Sequence, residues 1–300
     1  MKKLAIFAKV IEKDQLIYLE ELVNIAQRCH FELCINQSLS EQAQQWSLDL
    51  SHIPTYNLES ELGQFMPDYM VTLGGDGTFL DAATYVGDKG IPIVGINLGR
   101  LGFLAAVEKK FISEAIQMLD DKRYNQSERT LIQLGSNHQL FSEWPYAVND
   151  MTLIKRDTSS MIIIHTFLDD EFLNSYWADG LIVSTPTGST GYNMSCGGPI
   201  LMNDSNSFIL TPIAPHNLNV RPLVVPDTSR LKFSIEGRSD SFLCTLDSRF
   251  ETIDSNTTIT VQVAPFKIKV VSMENHSYLR TLREKLNWGK DTRNRYKRWK

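Results

Sequence analysis

Apolar positions in the first third of the chain fall into two alternating textures. The runs "LAIFAKV" (4–10), "FELCIN" (31–36), "YMVTL" (69–73) and "IPIVGINLG" (91–99) are short and mainly apolar, which predicts buried strands. Between them the spacing turns helical. Leu16, Leu19, Leu22 and Ile25 recur from about Asp14 to His30, and "TFLDAATYV" (78–86) reads as a helix. "EKKFISEAIQMLDD" (108–121) puts Phe111, Ile112, Ala115, Ile116 and Leu119 on one stripe. Such strand–helix alternation indicates a parallel sheet wrapped by helices.

After about Tyr124 strand-like runs follow one another with little helix between: "TLIQLG", "MIIIHTFLDD", "LIVST", "SFILTPIA", "PLVVP", "RLKFSIEG", "SFLCTL", "TTITVQVA" and "FKIKVVSM". Asn-Asp, Pro-Asp and Glu-Gly pairs punctuate them. This predicts a β-rich domain, sandwich-like or barrel-like. The closing "SYLRTLREKLNW" (277–288) is helical again and is expected to return to the first domain. The fold class is therefore an α/β N-terminal domain with a parallel sheet plus a β-rich, sandwich-like second domain. The expected boundaries are 1–124, with 275–300 packing back on it, and 125–274.

Composition narrows the class of function. The chain has 300 residues, 42% of them hydrophobic, which suffices for a large core. Its net charge of −5, with both signs mixed, argues against a nucleic-acid binder held by phosphate contacts. The basic end "KDTRNRYKRWK" (290–300) reads as a solvated tail. Four cysteines, Cys29, Cys34, Cys196 and Cys244, form no C-x-x-C pair and lack zinc-like spacing with histidine. Free thiols in a reducing cytoplasm are the expectation. "MKKLAIFAKVI" reads as a first strand rather than a leader, and no run is long and apolar enough to span a membrane.

The chemistry concentrates in three places. "VTLGGDGTFL" (71–80) ends a strand in a turn where Gly74, Gly75 and Gly77 surround Asp76, with Thr78 following. Glycines there let main-chain N–H groups approach an anion, and a helix N-terminus adds to the seat. A carboxylate in a phosphate seat is electrostatically unfavourable unless it accepts a proton from a hydroxyl or meets phosphate through a metal. Otherwise Asp76 is a helix cap in an ordinary tight turn. Neither the G-x-x-x-x-G-K-[ST] loop nor the G-x-G-x-x-G fingerprint is present. "WADGLIVSTPTGSTGYNMSCGGPI" (177–200) masses hydroxyls and glycines behind Asp179, with Tyr192 offering an aromatic face. "AVNDMTLI" (147–154) sets Asn149 beside Asp150, a pair able to read a ribose or base edge or simply to turn the chain. His165, inside an apolar run, reads as structural, and His216, on a proline-rich loop, is a candidate to line a site.

These pieces, in this order, resemble the NAD kinase family. "GGDGTFL", "VNDMTL" and "DGLIVSTPTGSTGYNMSCGGPI" are similar to its three signature segments. "INLGRLGFLA", "PHNLNVRPLVVP" and "LRTLREKLNW" are similar to further ones. "GGDGT" alone is shared with diacylglycerol, sphingosine and phosphofructokinase-type kinases; the long third segment is specific. The resemblance implies an enzyme that phosphorylates the 2′-hydroxyl of the adenosine ribose of NAD, giving NADP. It implies ATP as donor, a divalent metal, usually magnesium, and a homodimer or homotetramer. It implies a nucleotide-binding first domain, an NAD-binding second domain and a site in the crevice between them. The family's proton acceptor falls on Asp76, and its phosphate contacts on Gly74, Gly75, Gly77 and Thr78. Its NAD contacts fall on Asp76, Gly77, Phe103, Asn149, Asp150, Asp179, Thr190, Gly191, Tyr192, Asn193, Met194, Ser195 and Arg249. No side chain is expected to serve as a dedicated metal ligand. Asp150 stands where many members have Glu, Gly191 where Ala is common, and Trp177 where Arg is common in bacterial relatives. A lipid kinase sharing the glycine turn and a non-catalytic NAD(P) sensor are the alternatives.

Overall fold

A computed structural model describes residues 1–156, 161–274 and 276–288; the basic end 290–300 lies outside them. The chain divides into two compact units, Met1–Ser127 with the stretch from Val270 onward, and Glu128–Lys269.

The first unit runs β1 (Lys3–Phe7), α1 (Leu16–Arg28), β2 (Glu32–Asn36), α2 (Gln37–Gln45), β3 (Thr55–Tyr56), α3 (Glu59–Phe65), β4 (Tyr69–Gly74), α4 (Asp76–Val86), β5 (Ile93–Asn97), β6 (Val107–Glu108) and α5 (Ile112–Asp121). Its sheet order is β3-β2-β1-β4-β5, all parallel. Both faces are covered. Leu4, Ile6, Val71, Leu73, Val94 and Ile96 meet Leu19, Leu22 and Val23 of α1 and Ile112, Ile116 and Leu119 of α5. On the other face α4 buries Phe79, Ala82, Ala83 and Val86, and Phe7 packs on Tyr85 with ring centroids 5.2 Å apart. Helix α5 stops at Lys122, whose φ of +56° breaks the helical run. The strand order reverses direction between β1 and β4, the place where ligands bind in open parallel sheets. The glycine turn leaves the carboxyl end of β4.

The second unit begins within β7 (Asn125–Ser136). It continues through β8 (Tyr146–Ala147), β9 (Asp150–Lys155), β10 (Ile162–Leu168), β11 (Glu171–Ala178), β12 (Gly180–Ser184), α6 (Tyr192–Ser195), β13 (Ser207–Ile213), β14 (Leu223–Pro226), β15 (Leu231–Glu236), β16 (Phe242–Leu246), β17 (Arg249–Ile253) and most of β18 (Ile259–Ser272). One antiparallel sheet is ordered β14-β13-β12-β9-β16-β17, and the other contains β11-β10-β15-β18. Met151, Leu153, Val183, Phe208 and Cys244 of the first pack with Ile162, Ile164, Phe233, Ile235 and Val261 of the second. The unit is thus a sandwich rather than a single barrel. The closing helix α7 (Tyr278–Lys285) belongs to the first unit, where Tyr278 lies 6.1 Å from the Phe103 ring.

Two sequence expectations are corrected, and one strand is added to them. "TTITVQVA" and "FKIKVVSM" are one strand, β18, because Pro265 falls where the ladder continues without an N–H from that residue. The polar-looking "EFLNSYWA" is β11, an edge strand that needs little apolar content. Helix α4 starts at Asp76, two residues before the apolar pattern.

Phe79, fully buried in the first turn of α4, anchors the glycine turn to the core. Phe79→Ala is expected to cost about 3–5 kcal/mol. Denaturant unfolding of the purified protein, compared with wild type, checks it.

Candidate functional site

The first unit gathers its polar chemistry around Asp76. Gly74 ends β4 with φ +155°, and a Cβ there would lie 2.2 Å from Thr78 Oγ1, so the position demands glycine. At Gly75 and Gly77 a Cβ would meet nothing within 4 Å. The first helical bond runs from Phe79 N–H to Gly75 O at 3.2 Å, which leaves the N–H groups of 76–78 ahead of the ladder. Those amides, with two exposed glycines among them, form an open anion seat.

The Asp76 carboxylate does not cap its helix; Gly75 is the N-cap residue and no side chain caps it. The carboxylate instead accepts three successive main-chain N–H groups: Phe103 at 2.8 Å on Oδ2, and Leu104 at 2.9 Å and Ala105 at 2.8 Å on Oδ1. Gly102 permits the approach, since a Cβ there would lie 2.0 Å from Oδ1. A carboxylate offers about four lone-pair positions. Three are taken, and the remaining one, on Oδ2, is available to a hydroxyl proton or a cation. Phe103 thus serves Asp76 through its main chain, while its ring lies beneath the Lys285 ammonium, 4.6 Å from the centroid.

In the second unit the loop after β12 folds onto the Asn149–Asp150 segment. Thr185 N–H donates to Asn149 O at 2.9 Å, and Thr185 Oγ1 donates to Val148 O at 2.6 Å. Gly188 is pressed against the same segment, where a Cβ would sit 2.1 Å from Asn149 O. The Asn149 amide nitrogen lies 3.9 Å from the Cβ position of Gly191.

Many hydroxyls and amides of this loop build the loop itself. Ser189 Oγ donates to Pro186 O at 2.6 Å, and Thr190 Oγ1 to Thr187 O at 3.3 Å. Asn193, 0% exposed, donates to Ser189 O and Pro199 O and accepts from Thr211 Oγ1 at 2.6 Å. The part the geometry gives Asn193 is to pin the loop. Thr190 is likewise buried, whereas Gly191, Tyr192, Met194 and Ser195 keep accessible surface.

Charge in this unit is distributed unevenly. Asp179 is paired to Lys155 Nζ at 2.7 Å, and its carbonyl accepts from Lys155 N–H at 2.9 Å. Asp150 is buried, and its carboxyl is pushed up to about 7, first by burial and then by the charge of Asp247, against the pull of the Thr152 hydroxyl. Burial also raises the Tyr192 phenol, with Cys196 adding to it. Arg249 directs its guanidinium to the carbonyls of Trp144 and Tyr146 and stacks over Phe141. Trp177 is exposed on β11. His165 bonds Ser175 Oγ at 2.8 Å, and the His216 N–H meets Trp177 O at 2.8 Å. Asp247 was not singled out in the sequence. Its one signal is an acid in a two-residue turn between strand runs.

Among the described residues no group of three or more His, Cys, Asp or Glu side chains is placed to hold a metal, and no helix is long and apolar enough to cross a membrane.

Comparison with known proteins sets this geometry in context. Residues 4–124 match the family model of the ATP-NAD kinase N-terminal domain, and 148–273 that of the C-terminal domain. The chain is 48% identical over 291 residues to an NAD kinase of Cytophaga hutchinsonii, covering 97% of this chain and 99% of that one. It is 40% identical over 294 residues to the NAD kinase of Flavobacterium johnsoniae, covering 97% and 100%. The crystal structure of yeast NADH kinase complexed with NADH aligns with a TM-score of 0.83 at 25% identity, over all of this chain and 90% of that one. An NAD kinase from Archaeoglobus fulgidus in complex with ATP aligns at 0.75 with 23% identity, over 95% and 98%, a likeness of fold. With both domain models matched in order and relatives aligned end to end, the chain belongs to the NAD kinase family.

Proposed function

We infer that this chain is an ATP-dependent NAD kinase that transfers the γ-phosphate of ATP to the 2′-hydroxyl of the adenosine ribose of NAD. Family membership supports the activity and favours it over a lipid kinase or a silent NAD(P) sensor. The observation that carries the mechanism is the Asp76 carboxylate, fixed by three amides beside an open glycine turn.

The ribose hydroxyl is a poor nucleophile at neutral pH. Asp76 accepts its proton through the unused lone pair on Oδ2 as the ribose oxygen bonds to the γ-phosphorus. The bond from that phosphorus to the β,γ-bridging oxygen breaks, and ADP leaves with the electron pair. A positioned base contributes about 10²–10⁴-fold. Alignment of hydroxyl and phosphate, with charge neutralisation, supplies most of the rest. The amides of 76–78 serve as phosphate donors, with Gly74, Gly75, Gly77 and Thr78 shaping the seat. Asn149, Asp150 and Asp179, with Gly191, Tyr192, Met194 and Ser195, receive NAD; Thr190, Asn193 and Arg249 serve by holding that surface in place. Phe103 has a ring available for the adenine. The first unit is then the nucleotide-binding domain and the second the NAD-binding domain.

A divalent ion, magnesium by preference, belongs to this reading as a companion of the triphosphate. Mg²⁺ is ordinarily held by one or two carboxylates and substrate phosphates rather than by an all-protein cage. The three amides leave Asp76 one lone pair, which the hydroxyl proton takes, so the ion would be held by the triphosphate oxygens and water and would neutralise phosphate charge there. A homodimer or homotetramer is part of the same reading, supported by Phe172 and Trp177 standing exposed on the edge strand β11. Four free thiols suit a cytoplasmic setting.

Asp76→Asn replaces one acceptor with an NH₂ that would face an amide N–H, and it removes the base. Turnover of NAD with ATP and magnesium is expected to fall about 10²–10⁴-fold. Near wild-type production of NADP by this variant would remove Asp76 from the role. Gly102→Ala, which drives a Cβ into Asp76 Oδ1, is expected to lower turnover with the carboxylate still present. At the loop, Gly191→Ala places a methyl 3.2 Å from Gly188 O and 3.9 Å from Asn149 Nδ2, and its KM for NAD is expected to stay within about threefold of wild type. Gly188→Ala meets a carbonyl at 2.1 Å and is expected to raise that KM by more than tenfold, on the order of the cost of overpacking.

A further inference from the structure

One two-residue turn grips the Asn149–Asp150 segment from two sides. Asp247 and Ser248 connect β16 to β17, with Leu246 paired to Arg249. Asp247 has φ +52°, a conformation for which glycine is the undemanding occupant. Aspartate tolerates it better than most residues, and what it adds is a carboxylate. Oδ2 accepts Val148 N–H at 2.9 Å; Oδ1 accepts Asn149 N–H at 2.7 Å and Asp150 N–H at 3.3 Å. In return Asp247 N–H donates to Asp150 O at 3.0 Å. Two residues on, the Arg249 guanidinium donates to the carbonyls of Trp144 and Tyr146. An anion on the amides and a cation on the carbonyls thus fix the chain from 144 to 150.

We propose that Asp247 is a positioning residue for the dinucleotide: by binding the amides of 148–150 it fixes the Asn149 side-chain amide and the Asp150 carboxyl for the ribose. This rests on the reading of Asn149 and Asp150 as NAD contacts. Asp247 also sets the charge of its neighbour. The groups facing Asp150 are Asp247 from the turn, with Arg249 beyond it, Tyr192 and Cys196 from α6, and the Thr152 hydroxyl on its own strand. Tyr192 and Cys196 are both raised above their ordinary values and so are uncharged at neutral pH. Burial, and after it the charge of Asp247, hold the Asp150 carboxyl up at about 7, while burial raises the Asp247 carboxyl as well. The ionised carboxylate is the form that accepts ribose hydroxyl protons. NAD affinity should then improve as pH rises through that value.

Two variants test this. Asp247→Gly keeps the turn and deletes the carboxylate; Asp247→Asn keeps one acceptor oxygen and deletes the charge. In Asp247→Gly the KM for NAD is expected to rise about 10- to 100-fold, the worth of lost charge-assisted hydrogen bonds, while the KM for ATP changes little. In Asp247→Asn the rise is smaller, and the pH at which NAD affinity changes moves below that of wild type. Amide hydrogen exchange across 144–150 is expected to accelerate in Asp247→Gly even without NAD. Wild-type NADP formation tests the underlying kinase reading separately, because the exchange measurement does not depend on the substrate. Unaltered exchange, or a glycine variant with wild-type KM for NAD and an unmoved pH transition, would overturn the positioning role.

Discussion

A carboxylate seated on three consecutive main-chain N–H groups recurs once in each unit. Asp76 holds the amides of 103–105, and Asp247 those of 148–150. Loop amides without a ladder partner must find an acceptor or stay wet. One anion satisfies three of them at once, and charge-assisted bonds of this kind are worth about 1.5–3 kcal/mol each. The loops therefore need no regular structure of their own. Each takes its shape from a side chain supplied by a rigid element, the first turn of α4 in one unit and a strand hairpin in the other.

The two carboxylates differ in what they have left to do. Asp76 lies beside two glycines whose Cβ positions face open space, and it keeps a lone pair. Asp247 has Asp150 and Arg249 for neighbours, and its own carboxyl is raised by burial despite its amide donors and the Arg249 charge. On the proposed reading the first is chemical and the second architectural. The same division runs through the loop after β12. Ser189, Thr190 and Asn193 spend their polar atoms inside the loop, and the surface is left to Gly191, Tyr192, Met194 and Ser195.

Elements were legible where burial is two-sided or the helical stripe is regular. Strands β4 and β5 read as apolar runs because helices cover both faces, and α5 reads from its Ile112, Ala115, Ile116 and Leu119 stripe. Edge strand β11 escaped because Asn174, Ser175 and Glu171 dilute its apolar signal, and β18 was cut in two because proline is read locally as a break. The site was legible as segments and not as contacts. The glycine turn announces Asp76, but its amide partners lie 27 to 29 residues away along the chain. Nothing in "LGFLA" shows that its main chain is the relevant part. Asn193 was carried over as an NAD contact because it falls in the segment resembling the family's third motif; its burial follows from β13, whose Thr211 hydroxyl donates to it.

Asp150, Gly191 and Arg249 act on one small region of the second unit. The Asp150 carboxyl is buried, and burial with the charge of Asp247 raises it to about 7. Gly191 omits a methyl that would have stood beside the Asn149 amide. Arg249 carries a cation one turn residue away from Asp247 and directs it to the carbonyls of 144 and 146. Together they hold a short acid firmly in place: the hairpin at 246–249 fixes the chain that presents Asp150.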